Sequence, residues 1–216
     1  MPQLQHRIPL WLKLAYTAFM AALVPVYLYY YGPTNFLYFC DLALILTLFG
    51  IWTESALLIS MCAVGILRLQ FLWVADFLIN LAGVSLSGVT DYMFEAHRSL
   101  LLRGLSLFHG WLPFLVAYLT WKLGYDRRGF WAWTALSCVV LPICYLFLPP
   151  PQPNRGLMPV NINYVFGPSD HARQTWVSPP AWLARLMIGS PLLVYLPTHL
   201  LLLRLLPRSP RWPNES

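Results

Sequence analysis

This chain predicts an all-α bundle of membrane-spanning helices, about six spans with both termini cytoplasmic, forming one integral membrane domain over residues 1–216. Two observations carry that prediction. Of the 216 residues, 58% are hydrophobic and only 10% are charged, which leaves too little charged surface for an ordinary soluble domain. The apolar residues also fall into runs of about 20, the length that crosses a bilayer as a helix, with basic residues gathered at the run ends. The net charge of +6 comes with no basic face interleaved with aromatics, so membrane lipids, and not nucleic acid, are the expected partner.

Residues 10–31 form the first span. The run is too long and too aromatic for a signal peptide, and Tyr29-Tyr30-Tyr31-Gly32-Pro33 is no small-residue cleavage site. Residues 36–52 are the second span. Residues 55–88 are long for one helix and short for two, with Arg68 and Gln70 near the middle. The bias of basic residues toward the cytoplasm arbitrates. With one net crossing there, His6, Arg7, Lys13, Lys122, Arg127, Arg128, Arg204, Arg208 and Arg211 share the cytoplasmic side; two crossings move the last six outside. One crossing is therefore expected, with 56–67 as a tilted extension or partial insertion. Residues 99–121, 129–148 and 180–206 supply the remaining spans, and Asn214-Glu215-Ser216 is then a cytoplasmic, accidental glycosylation sequon.

The long outer loop, 149–179, opens on the stiff Pro149-Pro150-Pro151-Gln152-Pro153 and continues through Asn161, Asn163, Tyr164, Gly167-Pro168 and Trp176. A connection of this length is a lid, a binding loop or disordered, and its aromatics favour packing over a site. Asn161, Asn163 and Tyr164 are therefore expected to bind substrate there, with Trp176 beside them. Cys40, Cys62, Cys138 and Cys144 all lie in apolar stretches, which argues against a disulfide framework, and their spacing fits no metal motif. No cofactor is expected: the chain carries no P-loop, and it has neither HExxH nor GxSxG.

The chemistry is expected on a polar stripe inside the fourth span. Arg103, Ser106, His109, Gly110, Pro113, Ala117 and Thr120 share an arc of about 120° on one helix face. A charge or an imidazole at membrane depth is costly and faces a bundle interior or a wet cavity, and Pro113 leaves the carbonyl of His109 without its helical donor. Asp76, Asn80, Gly83 and Ser87 form a second stripe. Asp41 lies below Tyr38 and Asn35, at successive i−3 steps, and is suited to orient a histidine or to pair with Arg68 or Arg103. Together Asn35, Tyr38, Asp41, Asp76, Asn80 and His109 outline a polar cavity open toward the outer leaflet. In it His109 is the general base, Asp41 or Asp76 orients it, Tyr38 or Cys40 is the candidate nucleophile, and Asn35 and Asn80 bind substrate. Structural ion pairs and helix packing compete with each of these roles, and binding without a covalent step competes with catalysis. His199, below Tyr195 in the last span, is expected to snorkel to the interface.

Four segments carry a resemblance: residues 31–42 (YGPTNFLYFCDL), 104–115 (GLSLFHGWLPFL), 161–168 (NINYVFGP) and 193–202 (LVYLPTHLLL). They resemble a family of polytopic bacterial inner-membrane proteins to which no activity is assigned, which implies that location. More distantly, Phe36–Leu42 and His109 with Leu112-Pro113-Phe114 are similar to the androgen-induced membrane hydrolases that cleave branched fatty-acid esters. That likeness implies a lipid-directed hydrolase with His109 as its histidine, and Tyr38 standing where the family has its threonine.

Overall fold

The computed structural model describes residues 8–84, 88–96, 98–153 and 156–206. Its helices are α1 (Leu10–Tyr31), α2 (Phe39–Thr53), α3 (Ala56–Leu81), α4 (Leu100–Ser106), α5 (Phe108–Leu123), α6 (Arg128–Phe147), α7 (Pro179–Ser190) and α8 (Leu196–Leu205), with no strand among the described residues. The α7 and α8 helices join through a π-turn at Pro191–Tyr195, and α4 runs into α5, so the described residues make six helical passes. Five passes are long and apolar enough to cross a membrane; the sixth, α2, has 15 residues, or roughly 22 Å. A 3-10 turn at Pro33–Leu37 precedes it and adds roughly 10 Å. The expected second span thus begins late, at Phe39, because Gly32 at φ 75° ends α1 and Pro33 starts the turn.

Within the region 55–88, Ala56–Leu81 form one continuous helix. Residues 56–67, expected as a tilted extension or partial insertion, are instead the most buried part of α3, and α2, α5, α6 and α8 pack around it. Its core segment is 56% buried by the other helices, against 17% for α7–α8. Helices in lipid gain little from apolar contact alone, so close backbone approach at small residues matters. Gly65 faces the indole of Trp133 on α6, with no room for a side chain, and a Cβ on Gly129 would meet the backbone of Ser60 at 2.8 Å. Gly65→Ala is accordingly expected to destabilise the bundle by about 1–3 kcal/mol through overpacking. Gly104→Ala, where no heavy atom lies within 4 Å of the added Cβ, is expected to leave it unchanged or slightly more stable. Equal denaturation midpoints for Gly65→Ala and the parent protein in micelles would remove Gly65 from the packing argument.

Three contacts bring alternate turns to one end. Lys13 pairs with Glu54 at 2.8 Å, the amide of Asp126 donates to Ser60 Oγ at 2.9 Å, and Tyr125 meets His199 Nδ1 at 2.6 Å. The start of α1, the α2–α3 turn, the α5–α6 turn and α8 therefore lie together, as a single pass through 55–88 requires. Burial, then the neighbouring Asp126, pushes the Tyr125 hydroxyl up, whereas hydrogen bonds and charge from Arg128 overrule the burial of Asp126 and hold it below the usual carboxylate range. His199 is half-buried between Tyr125 and Phe130 rather than snorkelling free. Pro197 cannot supply the amide that the Leu193 carbonyl would receive in a helix, and Arg68 Nη1 donates to it at 2.6 Å instead. Arg103 donates to the Met93 carbonyl. Neither of these bonds goes to Asp41, the expected partner of the two arginines. His6, Arg7, Ser87, Arg208, Arg211 and the sequon at 214–216 lie outside the described residues.

Candidate functional site

At the opposite end, α2 begins with a buried carboxylate. Asp41 is 3% exposed; its Oδ2 accepts from Asn35 Nδ2 at 3.3 Å and from the Cys40 thiol at 3.7 Å, while Oδ1 has no hydrogen-bond partner among the described residues. A first-turn acid is favoured by the exposed amides of the helix N-terminus, and Asn35 reaches it because the Pro33–Leu37 turn folds directly over α2. Tyr27 lies within electrostatic reach of Asp41, and its hydroxyl shares a 3.2 Å hydrogen bond with Ser106 on α4. Tyr92 enters from the strap between α3 and α4, among Trp73, Ser106 and Cys40. Burial and the nearby thiol push its hydroxyl well above the ordinary tyrosine range, against an opposing pull from Trp73, Ser106 and Arg98. Arg98 covers this group from outside, with Nη1 donating to Tyr31 at 2.9 Å and its guanidinium 5.2 Å from the Tyr92 ring centre.

His109 sits beside this network, and its state is set by a helix break. At Leu107 the backbone leaves regular α geometry, and the Gly110 amide turns to the Leu107 carbonyl at 2.8 Å. His109 Nδ1 then meets the Ser106 carbonyl at 2.9 Å. A carbonyl only accepts, so Nδ1 carries the proton of the neutral ring and Nε2 keeps its lone pair. Trp73 and Phe108 stack on the imidazole at 5.1 and 4.0 Å between ring centres and hold its plane. Ser106 thus joins the two parts, with its hydroxyl toward Tyr27 and its carbonyl toward His109.

The other expected site residues are used elsewhere. Asp76 accepts from the amide and hydroxyl of Thr90 at 3.2 and 2.6 Å, and Asn80 donates to Asp91 at 2.9 Å; both anchor the strap that carries Tyr92. Gly83 lies beyond the end of α3, at φ 87°. Tyr38 donates to the Val160 carbonyl at 3.3 Å, on the side of α2 that faces the 149–179 loop. That loop is folded. Asn161 binds the carbonyls of Gly167 and Ser169 and the amide of Phe166, and Tyr164 accepts from Trp182 through its carbonyl. Asn161, Asn163 and Tyr164 all adopt left-handed backbone, which asparagine tolerates better than most residues. Asn163 spans 124 residues to cap α2, with Oδ1 accepting from the Phe39 amide at 3.0 Å and Nδ2 donating to Leu37 at 2.8 Å. Tyr38, at the cap position, offers no such group, so Asn163 positions the helix turn that bears Cys40 and Asp41. Trp176 is exposed.

Tyr27, Tyr31, Trp73, Tyr92 and Arg98 were not expected in the site. Aromatics near span ends are most simply read as an interfacial belt, yet Tyr27 and Tyr31 are buried. The available signal was the seam of α1, where Tyr16, Met20, Leu23, Tyr27 and Tyr31 recur at spacings of four and three and all are buried.

Comparison of the chain with protein-family models, with curated proteins and with solved structures gives no match in any of the three. The class defined by fold and site is therefore an all-α, multi-pass membrane protein with a buried polar network near one end of its bundle.

Proposed function

We propose that this protein is a lipid-directed hydrolase or acyl-transfer enzyme embedded in the bacterial inner membrane, with His109 as its general base. The observation that carries this is the His109 tautomer: Nδ1 is committed to the Ser106 carbonyl, so Nε2 is left as a base on a ring clamped by two aromatics. Tyr38 and Cys40 both have hydrogen-bond acceptors in place, at Val160 and Asp41, which favours water or an acceptor alcohol as the nucleophile. In hydrolysis, Nε2 takes a proton from water as the water oxygen bonds to the ester carbonyl carbon. The tetrahedral intermediate expels the alkoxide, which recovers that proton from His109, giving a free acid and an alcohol. Asp41 Oδ1 is available to accept from a substrate hydroxyl. The location follows the resemblance to the bacterial inner-membrane family, and the assay is release of fatty acid from lipid esters by purified protein.

A second reading is non-catalytic binding of a lipid or small molecule, or its carriage. It is favoured by the polar groups of Asp76, Asn80, Asn161 and Asn163, all of which hold internal bonds and leave few free to handle a transition state. Specific lipid retention without turnover would decide for it.

The orientation belongs to the same proposal. Lys13, Lys122, Arg127, Arg128 and Arg204 lie at the end that carries the Lys13–Glu54 pair, which makes that end cytoplasmic and puts Asp41 toward the outer leaflet. A cysteine at Met158 is expected to react with an impermeant maleimide in intact cells, and one at Arg127 only after permeabilisation. The reverse pattern would invert the bundle and the side from which substrate arrives.

A further inference from the structure

Among the described residues Arg185 meets no hydrogen-bond partner, counter-ion or aromatic ring, and it lies on the pass least covered by the bundle. No residue of α7 is buried. Two shallow apolar grooves run along this helix, one starting at Trp182 and the other at Ala181, and Arg185, Gly189 and Leu193 line both. Its depth is marked independently. Trp182, one turn above, is tied to the outer loop through Tyr164 and packs edge-on against exposed Trp176 at 5.9 Å, the arrangement of an aromatic girdle at headgroup level. From Pro179 to Arg185 the helix descends roughly 9 Å, which puts the guanidinium just inside the hydrocarbon edge of a pass roughly 40 Å long. From there the exposed Arg185 side chain, which points back toward the helix N-terminus, reaches the headgroup layer, where lipid phosphate is the anionic acceptor.

We propose that this groove binds one glycerophospholipid, its phosphate forked by Arg185 and one acyl chain lying over Gly189 toward Leu193. Phosphate is the anion found at this depth, and guanidinium matches it with paired donors. Gly189 leaves the groove floor open: no heavy atom lies within 4 Å of where its Cβ would be. A large side chain there fills the groove without disturbing the fold. The site is separate from His109, and its test does not depend on turnover.

The test is native mass spectrometry of the full chain released from nanodiscs containing phosphatidylglycerol, which carries the phosphate without a cationic headgroup. The parent protein is expected to retain a bound lipid, and Arg185→Gln to retain it about fivefold less. Gly189→Trp is expected to lose it as well although the cation is intact, and Gly189→Ala to keep it. Equal retention in all four proteins overturns the proposal. So does displacement of the lipid by inorganic phosphate, which would make the site one for a soluble anion. A dimer lost in Gly189→Trp with lipid retention unchanged would assign the groove to a second copy of the chain and overturn it too.

Discussion

His109→Ala is expected to reduce lipid-ester turnover by about 100- to 10,000-fold, the range that a positioned general base contributes. Two restraints act on the imidazole before substrate binds. The Ser106 carbonyl fixes the proton on Nδ1, and Trp73 with Phe108 fixes the ring plane, so Nε2 is presented as a lone pair in one direction. His109→Asn separates this role from a structural one, because an amide NH₂ still satisfies the Ser106 carbonyl but leaves no base at the ring's far edge. The expected result is a fold and denaturation midpoint close to the parent's in His109→Asn, with turnover as low as in His109→Ala. Turnover preserved in His109→Asn would show that His109 serves only to bridge the helix break at Leu107.

Glu54→Ala is expected to destabilise the bundle by about 3–5 kcal/mol, the cost of leaving a buried charge without its counter-ion. Lys13 is only 4% exposed, and its ammonium lies 2.8 Å from Glu54 Oε1, which also accepts from the Ile8 amide at 3.3 Å. Removing the carboxylate therefore strands both a cation and the entry of α1. Glu54 itself has left-handed backbone at φ 50°, where it closes the α2–α3 turn. The double variant Lys13→Met with Glu54→Leu is expected to recover most of the loss, since apolar residues of similar size often replace a buried pair without penalty. Denaturation of both variants in micelles checks this, and a Glu54→Ala protein as stable as the parent would mean that Lys13 reaches water.

What the sequence by itself determined is the layout along the chain. Run length and the positions of Lys122, Arg127, Arg128 and Arg204 favoured about six passes with one net crossing through 55–88, and within that region Ala56–Leu81 is one continuous helix. Periodicity also selected Ser106, His109, Pro113 and Thr120 as an inward face; all four are buried or half-buried. These are local properties, set by 1.5 Å of rise and 100° of turn per residue. The tertiary structure alone decided which polar groups meet. Asp76 and Asn80 do share a helix face, but what that face meets is the strap at Thr90 and Asp91. Tyr38 follows Asn35 along the chain, yet it turns to Val160, while Asn35 turns to Asp41. Asn163 caps a helix 124 residues away. Helical period fixes a side chain's angle about its own axis, whereas the partner across the gap depends on how each helix is rotated and tilted. Those rotations are set by steric details such as Gly65 against Trp133 and the break at Leu107, which emerge only when all six passes pack at once.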